Sequence, residues 1–119
     1  AIFLENPTSP TYLIALLKNA YALLHPNLVF EACSNTILEA QACGVPVIAF
    51  DSGSNKELIV DKTTGFIVKD FSSMAKAVKS ASTIKRQSCR KNMEKNFTVQ
   101  KMAERYLKLY QKIISTHGK

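Results

Sequence analysis

The sequence predicts a layered α/β domain in which parallel strands are flanked by helices. Over residues 1–68, short apolar runs alternate with stretches that carry helix start and stop signals. After Phe71 no strand pattern remains, and the chain looks helical to its end. Alternation of strand and helix is typical of parallel strands joined by right-handed crossovers. At 119 residues the length suits one domain, spanning residues 1–119.

Proline, glycine and small polar residues mark the ends of the elements in the first half. Ser9 before Pro10 is a helix start, because a capping hydroxyl precedes a residue preorganised for the first helical position. Pro26 stops a buried strand, since proline cannot donate to a sheet ladder. Gly44 is the usual residue for a left-handed helix end. The predicted elements are a strand at 1–5, a helix at 10–19, a strand at 21–25, a helix at 36–43 capped by Ser34 or Asn35, a strand at 46–50, a turn at 51–54, a short helix at 55–59 and a strand at 65–68.

Three helices are predicted after residue 71, at 74–82, at roughly 84–96 and at 99–115. Ser72 or Ser73 is the expected cap of the first, and Thr98 of the last. The last helix has apolar residues at helical spacing, so we expect one face to dock and the other to meet water. Tyr106 and Tyr110 lie on that face, where a place in the core is favoured over a stacking platform. The apolar stripe consists of Val99, Met102, Ala103, Tyr106, Tyr110, Ile113 and Ile114.

The charge of the chain is uneven. Residues 1–68 hold three Lys and six acidic residues, a net charge of −3. Residues 69–119 hold thirteen Lys or Arg and three acidic residues, a net charge of +10. A basic half can bind nucleic acid or an anionic membrane surface, but on helices it is more often a solvated face, which is the interpretation we favour.

Composition excludes several classes of protein. With 46% apolar residues the chain is not disordered, and no apolar run approaches the roughly 20 residues that cross a bilayer. Cys33, Cys43 and Cys89 form no CxxC pair, so neither a disulfide framework nor a zinc site is indicated and a reduced cytosolic setting fits best. His25 and His117 are far apart, and we assign neither to catalysis.

Two glutamates, Glu31 and Glu39, flank the predicted start of the helix at 36–43, with seven residues between them. The first amides of a helix have no intrahelical partners and favour an anion such as phosphate. In an open parallel sheet, ligands bind outside the carboxyl ends of the strands, where this loop is expected. Carboxylates repel phosphate but accept hydrogen bonds from hydroxyl groups. A sugar nucleotide offers both kinds of group, although either glutamate taken alone could be an ordinary solvated acid.

The segment Glu-Ala-Cys-Ser-Asn-Thr-Ile-Leu-Glu at 31–39, followed by Ala-Gln-Ala-Cys-Gly-Val-Pro-Val-Ile-Ala, carries a resemblance to a known family. It resembles the E-x7-E segment of retaining glycosyltransferases of family 4. That segment lies in the C-terminal, donor-binding half of the GT-B fold, a Rossmann-like parallel sheet with flanking helices. The likeness continues in His25-Pro26, in the Gly-Gly-x-x-Glu-like turn at 51–59, in the strand at 63–68 and in the helices at 96–114.

The resemblance implies a role for each residue of this segment. Glu31 would hold hydroxyls of the donor hexose near the reacting carbon, as the catalytic-site acid, and Glu39 would accept hydrogen bonds from the ribose. Amides of the segment Ala32, Cys33, Ser34, Asn35 and Thr36 would hold the diphosphate. It further implies a nucleoside diphosphate sugar as donor, UDP- or GDP-linked, and neither a metal nor a cofactor.

Two features of the sequence depart from the family pattern. Where many members have Gly-x-Gly after the first glutamate, this chain has Ala32, Cys33 and Ser34, whose Cβ atoms restrict how closely phosphate approaches the backbone. The family's basic pair and its N-terminal acceptor domain correspond to sequence upstream of residue 1. We therefore expect a fragment of a two-domain enzyme that is inactive by itself.

The resemblance implies a hexosyltransferase that acts on a saccharide or lipid-linked acceptor in polysaccharide biosynthesis. Two alternatives stay open: a nucleotide-sugar epimerase of GT-B fold, and a non-catalytic basic module that binds nucleic acid or an anionic membrane. We expect the protein in the cytoplasm, with peripheral contact with the inner face of a membrane as a further option, and no nucleic acid partner.

Overall fold

The computed structural model describes residues 9–117, so the strand predicted at 1–5 lies outside the described residues. In the described part, helices and strands alternate up to β3 and helices follow to residue 117, as the sequence predicts. The elements are α1 (Pro10–Asn19), β1 (Leu23–His25), α2 (Asn35–Ala42), β2 (Val47–Phe50), α3 (Asn55–Leu58), β3 (Gly65–Val68), α4 (Phe71–Ser80), a 3₁₀ turn (Ala81–Thr83), α5 (Arg86–Asn96) and α6 (Val99–His117).

The three strands form a parallel sheet in the order β1-β2-β3, which confirms the predicted fold class. The central strand β2 is buried along its whole length. Because side chains alternate across a strand, Val47 and Ala49 belong to one core and Ile48 and Phe50 to the other. The first core lies between the sheet and the helices α1 and α2, and the second contains Met74 of α4.

Several local signals in the sequence act as predicted. The helix begins at Pro10 after Ser9, although the Ser9 hydroxyl makes no capping hydrogen bond among the described residues and the Ser9 carbonyl accepts the first helical hydrogen bonds instead. Gly44, which follows α2, has a φ of +73°, the left-handed conformation that glycine adopts without strain. The hydroxyl of Thr98 accepts a hydrogen bond of 3.2 Å from the amide of Lys101 and so caps α6.

The predicted N-terminal cap of α4 is wrong. The helix begins at Phe71, and Asp70 rather than Ser72 or Ser73 occupies the cap position. The Asp70 carboxylate accepts a hydrogen bond of 2.7 Å from the Ser73 amide, while the Ser73 hydroxyl accepts one of 3.1 Å from the Asp70 amide. The hydrogen bond from the Ser73 amide, and then one of 2.7 Å that the Ser73 hydroxyl donates to the same carboxylate, lower the pKa of Asp70. An ionised acceptor is the stronger cap, which is why the aspartate takes the position.

The expectation that the apolar stripe of α6 docks is wrong for the described residues. No residue of α6 is buried, and Met102, Tyr106 and Tyr110 are each about half exposed. The two tyrosines contact each other along the helix, with ring centroids 6.0 Å apart, instead of lying in a core. Apolar periodicity shows that a helix face favours burial, but it does not identify the partner.

In residues 9–117 no helix is both long and apolar enough to cross a membrane.

Helix α5 ties the ends of α1 and α2 together through two arginines. The guanidinium of Arg86 donates to the carbonyls of Lys18 and Ala20, each at 2.8 Å, and to that of Cys43 at 3.3 Å. The guanidinium of Arg90 donates to the carbonyl of Ala42. Cations at helix C-termini complement both the free carbonyls and the helix dipole. Part of the basic half of the chain therefore holds the fold together.

A buried amide network fixes α2 against α3 and α5. Gln41, which is fully buried, donates to the carbonyl of Leu58 at 2.8 Å and accepts a hydrogen bond of 2.7 Å from Asn92. Asn96 in turn donates to the Asn92 side chain at 2.9 Å. Because buried amides are costly unless paired, this network specifies one orientation of α2. That helix carries Asn35, Thr36 and Glu39 of the predicted site.

Candidate functional site

The loop between β1 and α2 brings Glu31 to the carboxyl edge of the sheet, against the turn that follows β2. The carbonyl of Glu31 accepts a hydrogen bond of 3.0 Å from the amide of Ser54. Gly53, with a φ of +52°, lies so close that a Cβ there would be 2.5 Å from the carbonyl oxygen of Glu31. The contact between loop and turn therefore requires glycine at position 53 and places the Glu31 backbone.

The carboxylate of Glu31 is partly exposed, and one of its oxygens has a hydrogen-bond donor and a histidine nitrogen close by. The side-chain amide of Asn27 donates to Oε2 at 3.3 Å, and Nε2 of His25 lies 3.5 Å from the same oxygen. The side chain of His25 is only 15% exposed, against 39% for Glu31. The sequence pattern does not predict a catalytic role for His25. Its place at the end of a strand, just before a proline and a loop that carries an acid, was the available signal.

Within residues 9–117, the first amides of α2 have no hydrogen-bond partner. Among the described residues, no hydrogen bond engages the amides from Cys33 to Ile37. Ser34 holds the cap position but its hydroxyl caps nothing; the side chain is buried, and its oxygen has no partner in this part of the chain. A helix end with unengaged amides attracts an anion. The segment 32–36 that we predicted to bind diphosphate thus has its donors available.

Side chains around this helix end leave its outer side accessible. Ala32, Cys33, Asn35 and Thr36 are exposed, and only Ser34 is buried. The hydroxyl of Ser54 is a second buried oxygen without a partner among the described residues. Ser54, Ala32 and Cys33 line a hollow of about 270 Å³ that also includes one cation, Arg105, and one acid, Glu57. The sequence does not predict that these two side chains meet at the helix end.

Glu39 lies about one turn farther along α2 and faces a different space. It is exposed and lines a groove of about 420 Å³ between α1 and α2. The walls of this groove are mostly apolar, and Leu13, Ile14 and Leu17 come from α1. Glu31 lines neither this groove nor the hollow beside Cys33. The structure therefore places Glu31 beside His25, Asn27 and Ser54, and Glu39 beside a separate apolar groove.

The cysteines differ in accessibility. All three are free thiols, and Cys33 is the exposed one. Burial raises the pKa of Cys89 to about 11, which leaves that thiol protonated at neutral pH. Among residues 9–117, no group of three or more His, Cys, Asp or Glu side chains is placed to hold a metal ion.

Comparison with known proteins gives a family match over most of the chain. The family model described as glycosyl transferases group 1 matches residues 2–100. The chain is 31% identical over 98 residues to YtcC of Bacillus subtilis (strain 168), which carries the name of a glycosyltransferase, and this match covers 75% of the chain. It is 32% identical over 91 residues to spore coat protein SA of the same organism, a match that covers 69% of the chain. The chain spans 24% of the length of each relative.

Proposed function

The chain belongs to the glycosyl transferases group 1 family, and we propose that it forms the donor-binding part of a retaining, GT-B-type hexosyltransferase of family 4. The donor is a nucleoside diphosphate sugar, UDP- or GDP-linked, and the acceptor is a saccharide or a lipid-linked saccharide. The activity belongs to a longer protein with an acceptor domain, because the chain spans only 24% of its relatives. The 119 residues alone bind donor without transferring it.

One observation carries this proposal: within residues 9–117, the amides at the start of α2, a few residues after Glu31 in the chain, are unengaged. Three consecutive residues, Ser34, Asn35 and Thr36, offer free backbone donors, and the buried Ser34 hydroxyl adds a further donor without a partner in the described chain. A diphosphate supplies the acceptors that these groups lack. When the bond between sugar and diphosphate breaks, negative charge grows on the leaving phosphate, and donors already in place stabilise it.

The two glutamates then take different parts of the donor. Glu31, at the helix end, accepts hydrogen bonds from hexose hydroxyls close to the reacting carbon. Glu39 accepts from the ribose, and the apolar groove of about 420 Å³ beside it suits the flat face of a base. The diphosphate lies between them at residues 32–36. We expect neither a metal ion nor a cofactor to take part in donor binding.

The alternatives use the same or other surfaces. An epimerase of GT-B fold would bind the same donor, and only an assay of transfer against epimerisation in the longer protein separates it. A basic module would bind DNA or anionic vesicles through the residues after 69. Arg86 and Arg90 already donate to helix carbonyls, which leaves fewer of their N–H groups for such a role. We accordingly place the enzyme in the cytoplasm, in polysaccharide biosynthesis, with peripheral membrane contact as the remaining option.

Amide chemical shifts of the chain test the proposal. Titration with UDP, GDP and ADP should shift the amides from Glu31 to Glu39, and inorganic phosphate should shift only those at the helix start. Glu39→Ala should weaken nucleoside diphosphate binding more than phosphate binding, whereas the control Glu104→Ala on α6 should change neither. Shifts confined to Lys and Arg residues after 69, on adding DNA or anionic vesicles, would support the basic module instead. Equal losses for both ligands would remove the ribose role.

A further inference from the structure

His25 is the last residue of β1, and its ring is held in a nearly closed environment. Its side chain is 15% exposed, and Nε2 is fully buried without a hydrogen-bond partner among the described residues. A buried polar atom in that condition is uncommon, since most find a partner in the protein or a bound molecule. The charged group near it is the carboxylate of Glu31, with Nε2 and Oε2 3.5 Å apart.

The two oxygens of the Glu31 carboxylate are not equivalent. Oε2 lies near both His25 Nε2 and the Asn27 amide, which donates at 3.3 Å. No hydrogen bond within residues 9–117 uses Oε1. The backbone of Glu31 is fixed independently by the hydrogen bond from Ser54. With backbone and one oxygen restrained, the second oxygen is left for an external hydroxyl group.

We propose that His25 is a positioning residue for the donor sugar. Its Nε2–H group, 3.5 Å from Oε2 of Glu31 in the free chain, closes to a hydrogen bond when the donor binds and, with the Asn27 amide, holds Oε2 so that Oε1 faces a hexose hydroxyl. The inference rests on the proposed role of Glu31 in binding hexose. His25 itself touches neither the sugar nor the diphosphate.

His25 should affect binding of the sugar part of the donor but not binding of the nucleotide part. Diphosphate is held by the amides of α2 and ribose by Glu39, and neither depends on the rotamer of Glu31. Loss of the His25 donor should therefore weaken binding of a sugar nucleotide while leaving the bare nucleotide unaffected. A purely structural histidine would, on removal, weaken both ligands together through the fold.

Two variants of His25 test this in binding measurements. His25→Phe keeps ring volume and removes the donor, whereas His25→Gln places an amide near the position of Nε2. By isothermal titration with UDP and UDP-glucose, and with GDP and GDP-mannose, His25→Phe should lose about tenfold in affinity for the sugar nucleotide, the size of one charge-assisted hydrogen bond. Affinity for the nucleotide should stay within about twofold, and His25→Gln should restore most of the loss. Equal losses for both ligands, or identical behaviour of the two variants, would overturn the proposal.

A second measurement needs neither ligand nor a His25 variant. Ring ¹⁵N chemical shifts of the free chain should show the proton on Nε2, and Glu31→Gln should change them. The matched variant Glu39→Gln should leave them unchanged. A proton found on Nδ1 of neutral His25, or ring shifts insensitive to Glu31→Gln, would overturn the positioning role. If the chain binds no nucleotide at all, the proposed function fails, and these shifts still decide the contact between His25 and Glu31.

Discussion

Gly53→Ala tests whether the turn after β2 holds Glu31 in place. The residue has a φ of +52°, and an alanine Cβ would lie 2.5 Å from the Glu31 carbonyl oxygen and 2.8 Å from its nitrogen. Ordinary van der Waals contact begins near 3.4 Å, so loop or turn must move by about 0.9 Å. The left-handed conformation costs alanine about 1–2 kcal/mol. Loss of the Ser54–Glu31 hydrogen bond adds about 1 kcal/mol, which makes about 2–3 kcal/mol in all.

Gly44→Ala is the matched control. Gly44 has a φ of +73°, so an alanine there has a similar conformational cost. The alanine Cβ would lie 3.1 Å from the Arg86 carbonyl oxygen, far along the chain from Glu31. We expect a loss of about 1–2 kcal/mol for this variant. Urea unfolding followed by circular dichroism compares the free energies of unfolding, provided that the slopes agree.

Binding separates the two variants more sharply than stability does. A displacement of about 1 Å in a positioned group can lower an enzyme's rate by a factor of about 100. Because Gly53→Ala displaces Glu31 by a similar distance, this variant should lose most of its affinity for a sugar nucleotide. Gly44→Ala should keep it. If Gly53→Ala is no less stable than Gly44→Ala and the Glu31 amide signal does not move, the inferred contact between turn and loop is wrong.

Three further predictions concern the scaffold. In urea unfolding, Arg86→Ala should lower the free energy of unfolding by about 1–2 kcal/mol, because the carbonyls at the ends of α1 and α2 lose their donor. Lys108→Ala, at an exposed position, should change it by less than about 0.5 kcal/mol. Equal effects of the two variants would contradict the role of Arg86 in joining α1 and α2. The lowered pKa of Asp70 means that its carboxylate stabilises the fold above about pH 3.8, and that this contribution is lost as the pH falls through the lower pKa of the folded state. The difference in urea midpoint between wild type and Asp70→Asn should thus be larger at pH 7 than at pH 2.5, and a difference independent of pH would refute the cap. At pH 8 a thiol reagent should label Cys33 in the folded chain and Cys89 only after unfolding in urea. Mass spectrometry of the digested chain identifies the labelled residue. Labelling of Cys89 in the folded state would contradict its burial.

Local chemistry explains why the sequence predicts most of the fold. Pro10 and Gly44 act through their own backbone preferences, which need no distant partner, and both mark helix ends as expected. Complete burial of β2 follows from its unbroken apolar run. The start of α4 was misplaced because Asp70, Ser72 and Ser73 all have capping side chains, and composition alone does not rank them.

Contacts between distant segments account for what sequence reasoning missed. His25 and Glu31 are six residues apart, and only the bend of the loop after β1 puts their side chains 3.5 Å from each other. Arg86 is an ordinary basic residue in the sequence, yet in the fold it holds carbonyls more than sixty positions earlier. The apolar stripe of α6 is present as the sequence predicts, but no segment within residues 9–117 buries any residue of that helix.

The sequence by itself determined the order and type of the elements, the spacing of Glu31 and Glu39, and the helix start between them. These depend on periodicity and on preferences that act within a few residues. Only the tertiary structure decided that, within residues 9–117, the first amides of α2 stay unengaged, that Asn27 and His25 lie at one oxygen of Glu31, and that Glu39 faces a separate groove. The reason is physical: a hydrogen bond forms between groups that the chain path brings within about 3 Å, and that distance is set by packing rather than by neighbours in sequence.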